Sequence, residues 1–151
     1  MIPVFQTMSL ANDGHGNCFN ACIASILERP LREVALIHPR TAKDWHEEWR
    51  LWLADQGYRL SYHGAEDPPA GYSIASGRSG RVYPDGHQKA GERIHHACVA
   101  FDGVVVHDPF PIPGMFDQIG YYQRLVPLTD AERCAHDLRK AIGVSPETVL
   151  L

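Results

Sequence analysis

An apolar run from His96 to Phe101, the dipeptide Asp102-Gly103 and a second run from Val104 to His107 follow one another without interruption. Asp-Gly favours a two-residue turn with both residues at positive φ, whose twist matches that of two antiparallel strands. The stretch therefore predicts a β-hairpin, and a lone hairpin is not stable without further strands or a helix against its apolar side. Helical patterns lie upstream. From Cys18, the apolar positions Phe19, Cys22, Ile23, Ile26 and Leu27 recur at helical spacing up to Pro30, with Asn17 placed as N-cap. Thr41 with Asp44 resembles a capping box opening a second helix, in which Trp45, Trp49, Trp52 and Leu53 form one stripe and Gly57 ends the run. Such a stripe belongs to the core or its edge, not to a ligand cage.

The rest of the chain fills in a sheet. Tyr58 to Tyr62, Tyr72 to Ser76 and Tyr121 to Val126 are short strand candidates, and residues 77 to 93, rich in glycine and mixed charge, read as a long loop. That loop is either plain solvated chain or a lid beside the hairpin. Leu31 to Ile37 reads as a short turn, and the segment through Asn17 as irregular and exposed. Thr129 and Glu132 form a capping box for a final helix ending near Ile142 and closed by Gly143. Helices first, then an antiparallel sheet, is an α+β order. With 151 residues and no internal repeat or linker, the expectation is one domain over 1–151.

Charge excludes some partners. The chain carries 14 basic and 18 acidic residues, a net charge of −4, which gives no electrostatic case for nucleic acid or an anionic membrane. No stretch approaches the roughly 20 apolar residues of a membrane span, and Met1 to Gln6 lacks the pattern of an export signal. A soluble, cytoplasmic protein is expected. In that compartment the four cysteines are thiols, and a Cys18–Cys98 disulfide is disfavoured.

Chemistry enters at Cys18. It follows the small, polar, glycine-rich run Gly14-His15-Gly16-Asn17 and opens a helix, where unpaired N–H groups and the helix dipole favour thiolate over thiol. A thiolate nucleophile needs a partner that accepts and returns a proton, and a third group to fix that partner's orientation. The hairpin supplies both. Neighbouring strand residues face opposite sides, so only one of His95 and His96 can meet Cys18; His96 is preferred and His95 is the fallback. Counting outward from the turn brings the residue facing His96 close to Asp108, and cross-strand neighbours are about 5 Å apart. The bland alternatives are a buried helical cysteine, a histidine at a strand edge and an aspartate that merely starts a turn before Pro109. Zinc is the chemical rival, with His15, Cys18, Cys22 and either His96 or Cys98 as ligands. Cys18 and Cys22 are one helical turn apart, however, and a second well-spaced pair is missing.

Over residues 6 to 109 the chain resembles the papain-like cysteine peptidases, most nearly the bacteriocin-processing (double-glycine) peptidase domains. The resemblance rests on Asn17-Cys18 with Ala21-Cys22 following, on a histidine that begins an apolar strand, and on Val106-His107-Asp108-Pro109. Gly16-Asn17-Cys18-Phe19 and His107-Asp108-Pro109 are also similar to segments of small uncharacterised bacterial and phage proteins. The resemblance implies a nucleophile at the start of the central helix, a Cys-His-Asp triad of Cys18, His96 and Asp108, no cofactor, and a peptide or protein substrate. It also implies an amide donor to the oxyanion upstream of the cysteine. Asn12 stands near the family's usual spacing, whereas Gln6 lies twelve residues upstream; Gln6 is favoured because the Gly14 to Gly16 loop absorbs the extra length, and Asn12 stays open. Phe19 replaces the glycine common after the nucleophile. Hydrolysis of a peptide or isopeptide bond leads, transglutaminase-like acyl transfer uses the same groups, and a non-catalytic binding protein on the same fold is the alternative from another class.

Overall fold

A computed structural model describes residues 1–10, 15–39, 42–112 and 116–143. Among these the chain is α+β. In chain order the elements are α1 (Cys18–Leu27), a 3₁₀ turn (Leu31–Glu33), α2 (Trp45–Asp55), β1 (Tyr58–Gly64), β2 (Tyr72–Val82), β3 (Arg93–Phe101), β4 (Val104–His107), β5 (Phe116–Pro127) and α3 (Asp130–Ile142). The strands form one five-stranded sheet in the order β1-β5-β2-β3-β4, every neighbouring pair antiparallel.

α1 lies across β3 and β2, and α2 against β1. Between them sits the core: Cys22, Ile23 and Ala24 of α1, Trp49 and Leu53 of α2, Ile74 of β2, and Ala97 and Val99 of β3. Each large apolar side chain fully buried there contributes about 1.5–3 kcal/mol. Trp45 and Trp52 pack at its edge, as the stripe predicted. A smaller cluster of Ala75, Ala100 and Tyr122 forms elsewhere in the sheet.

Several boundaries differ from the sequence reading. α1 stops at Leu27 because Glu28 turns left-handed (φ 55) and caps it, two residues before Pro30. α2 is capped by Asp44, whose side chain accepts the Glu47 N–H; Thr41 lies outside the described residues. β2 runs on through Val82, so residues 77 to 82 are strand and not loop. Gly77 makes this possible, since a Cβ there would lie 2.1 Å from the Gln118 carbonyl oxygen of β5. β5 begins at Phe116, five residues before the predicted start. The hairpin is as read, with Asp102 and Gly103 both at positive φ (48° and 81°). The Thr129–Glu132 capping box and the Gly143 end of α3 are present as predicted.

The N-terminal segment is irregular but not merely exposed. The Ile2 N–H donates to the Ser25 carbonyl and the Val4 N–H to Ser25 Oγ, while the Gln6 N–H donates to the Pro109 carbonyl. His107, buried at the end of β4, donates Nε2–H to the Val4 carbonyl at 2.8 Å. The segment is thereby laced to α1 on one side and to the His107-Asp108-Pro109 stretch on the other. No helix among the described residues is long and apolar enough to cross a membrane.

Candidate functional site

Cys18 is the first residue of α1 and is half-buried as a residue. β4 pairs with β3 only from Val99 to Phe101, so β3 has no β4 partner at Ala97. The start of α1 occupies that gap. The Ala97 backbone N–H from the sheet, the Phe19 N–H from its own helix and the His96 ring all favour the thiolate of Cys18. One amide of the helix start, one of the sheet and an imidazole thus bear on this sulfur.

His96 is 2% exposed. Its Nε2–H donates to Asp108 Oδ1 at 2.7 Å, which leaves Nδ1 as the nitrogen for the thiols. Asp108 Oδ1 also accepts the Phe110 N–H at 2.9 Å. A bulge brings the carboxylate here. Ala100 pairs with Val105 but Val99 pairs with His107, so Val106 is an extra residue. Without it Asp108 would fall opposite Ala97, on the other face from His96. With it Asp108 falls beside Cys98, on the His96 face and one diagonal step away. The sequence count reached the right partner without the bulge that makes the contact possible. His95 takes the opposite side of β3, exposed, with its ring 6.3 Å from that of Tyr121.

The electrostatics follow from these contacts. Burial raises the Cys18 pKa, but the His96 hydrogen bond and charge, with the Ala97 and Phe19 N–H groups, outweigh it and hold the thiol below its ordinary value of 9.0. Burial lowers the His96 pKa, but hydrogen bonds to Asp108, Cys18 and Cys98 push it up to about 11. Thiolate beside imidazolium is thus the favoured pair. Cys22, one turn deeper in α1 and wholly buried, has its pKa raised well above 9.0 by that burial.

Gln6 borders the same cavity as Cys18. Its Nε2 donates one hydrogen to the Met8 carbonyl at 2.8 Å, leaving a second hydrogen on that nitrogen. Gly16 lets it sit there, because a Cβ at that position would be 3.3 Å from Nε2. Asn12, the other amide considered, lies outside the described residues. Asn17 is a contributor the sequence reading misassigned. Its side chain makes no cap bond to α1; Oδ1 accepts the Thr7 and Met8 N–H groups at 3.1 and 3.0 Å, and Nδ2 donates to Thr7 Oγ1. Asn17 is 4% exposed, and the sequence carries no signal for this tether because Asn suits an N-cap equally well.

The cavity has a volume of about 400 Å³ and is walled by Cys18, His96 and Gln6, by Phe19 and Trp45 from the helices, and by Arg81, Tyr83 and Lys89 from the end of β2 and the loop after it. The long middle segment therefore does border the site. The zinc set drawn from the sequence does not assemble. Among the described residues the donor group within 4.8 Å is His96, Cys98 and Asp108, without His15 or Cys22. With Asp108 bonded to His96, that group offers an ion one ring nitrogen and one sulfur, fewer than the three protein ligands of a zinc site. All four cysteines are free thiols. Comparison with models of protein families, with curated proteins and with solved structures finds no match to this chain.

Proposed function

We propose that this protein is a papain-like cysteine hydrolase of the cytoplasm, cutting a peptide or isopeptide bond. The observation that carries the reading is that Cys18 shares one cavity with Gln6 and with His96, whose ring is hydrogen-bonded to Asp108 and favours the Cys18 thiolate. In this reading the Cys18 thiolate attacks the substrate carbonyl carbon and a C–S bond forms. Negative charge moves to the carbonyl oxygen, which the remaining Gln6 Nε2–H and a backbone N–H at the start of α1 receive. The His96 imidazolium gives its proton to the amine as the C–N bond breaks, leaving a thioester and a neutral imidazole. Water then attacks the thioester, His96 takes its proton, and the C–S bond breaks to restore thiolate and imidazolium. Asp108 holds the ring by its Nε2–H through both halves.

The test has two readouts. Iodoacetamide is expected to alkylate Cys18 below the ordinary thiol value of 9.0 in the wild type and to lose that advantage in His96→Ala. Incubation with a complex peptide mixture is expected to create new termini that Cys18→Ala does not create and that His96→Ala creates about 10²- to 10⁴-fold more slowly. A Cys18 that alkylates like free cysteine, together with new termini that survive Cys18→Ala, would sink the proposal.

A further inference from the structure

The chain has more acidic than basic residues, 18 against 14, yet none of the described residues lining the cavity is Asp or Glu. Two permanent cations do line it, Arg81 and Lys89. Neither forms an ion pair with a carboxylate among the described residues. Arg81 is instead held by stacking, its guanidinium carbon 3.8 Å from the Phe110 ring centre, and its buried Nε meets no acceptor among the described residues. A guanidinium carries five N–H donors in a fixed fork suited to a carboxylate. Lys89 sits on the exposed loop beyond β2, its Nζ 5.9 Å from the Tyr83 ring centre. The acids of that same loop, Asp85 and Glu92, are exposed and do not line the cavity.

The charge balance gives these cations a role. Thiolate, imidazolium and the Asp108 carboxylate sum to one negative charge, which by itself repels an anionic substrate. Arg81 and Lys89 reverse that sign at the cavity wall, where a site partly screened from water strengthens the effect. We infer that the cavity selects substrates carrying a carboxylate near the scissile bond, with Arg81 and Lys89 as its receptors; this rests on the hydrolase reading above.

Iodoacetate and iodoacetamide deliver the same alkylation with and without a carboxylate, so the ratio of their rates at Cys18 isolates the effect. At low salt that ratio is expected to exceed the ratio for free cysteine several-fold, to fall at least about two-fold in Lys89→Gln and in Arg81→Met, and to shrink as salt screens the charges. Lys89→Gln changes an exposed side chain and keeps the test open if Arg81→Met does not fold. On cleaved peptides, Glu→Gln replacement inside the sequence and amidation of the C-terminus distinguish a side-chain carboxylate from a terminal one. Loss of cleavage in either arm supports the inference and names the source. A rate ratio unchanged in Lys89→Gln, or cleavage indifferent to both replacements, overturns it while leaving a fast-reacting Cys18 and the hydrolase reading in place. Slow reaction of Cys18 with both reagents overturns the hydrolase reading itself.

Discussion

The Asn17 amide gives its oxygen to the Thr7 and Met8 N–H groups instead of to the helix that follows, and so fixes the segment that carries Gln6. Replacing it with alanine strands those two donors in a half-buried setting, at a cost of about 1–3 kcal/mol in stability. Under the proposed mechanism the loss reaches the oxyanion side of the site. Gln6→Ala is expected to slow turnover by about 10²- to 10³-fold, the usual effect of one missing oxyanion donor, while the pH dependence of Cys18 alkylation stays as in the wild type. Asn17→Ala is expected to share part of the same loss. A double-mutant cycle measures this: the combined variant should turn over no more slowly than Gln6→Ala alone, because the two residues act through one donor. Strict additivity would separate them. Asn17 was legible as important but not for the right reason, since no local pattern tells a cap from a tether ten residues back along the chain.

Among the elements, the β4 bulge decides whether the His96–Asp108 contact exists. Side-chain direction in a strand has a period of two, so one residue more or less flips everything beyond it. Inserting one alanine between Val106 and His107, with the bulge kept, is expected to keep the hairpin and put Asp108 opposite Ala97, on the wrong face. Alkylation of Cys18 should then move up in pH toward the ordinary 9.0, and match the profile of Asp108→Ala, because both variants remove the hydrogen bond that does most to raise the His96 pKa. A profile like the wild type in the insertion variant would refute the role of the β4 register. α3 behaves differently. Its polar side meets the body through Glu132 with Arg59 and through His136 and Lys140 with Asp55, all partly exposed, while Leu138 and Ile142 stay 62% and 60% exposed. Exposed pairs of this kind hold a helix weakly, because water and salt screen them. Amides of α3 are therefore expected to exchange hydrogen faster than those of α1, and faster again in Asp55→Ala. Caps made the ends of α3 readable in the sequence, and the Asp-Gly turn did the same for the hairpin. The length of β2 was hidden because Gly77, Arg78 and Gly80 look like loop chemistry; Gly77 belongs in a strand paired on both sides because the β5 backbone comes close to it, which no local pattern records.

Across the whole molecule, α1, the N-terminal segment and the β3–β4 edge converge on one thiol, and their contacts shape how stability responds to pH. His96 is held protonated up to about 11, so between its ordinary value of 6.5 and that point the folded chain holds a proton the unfolded chain has lost. Taken alone, this makes stability fall as pH rises. Cys18 acts in the opposite sense: its lowered value adds stability as pH rises toward 9.0, after which the unfolded thiol ionises too and the gain stops growing. Below 9.0 the two slopes oppose each other. Above it nothing opposes His96, and Cys22 and Cys98, whose pKa values burial raises, now favour unfolding because their thiols ionise only in the open chain. Denaturant midpoints are therefore expected to fall less steeply over the range just below pH 9, where Cys18 opposes His96, than beyond it. In Cys18→Ala the rising contribution is gone, and a decline should begin at lower pH, as the His96 slope is no longer opposed. A midpoint that kept rising past pH 9 in the wild type would mean that the buried thiols and the imidazolium are not coupled to folding as their surroundings require.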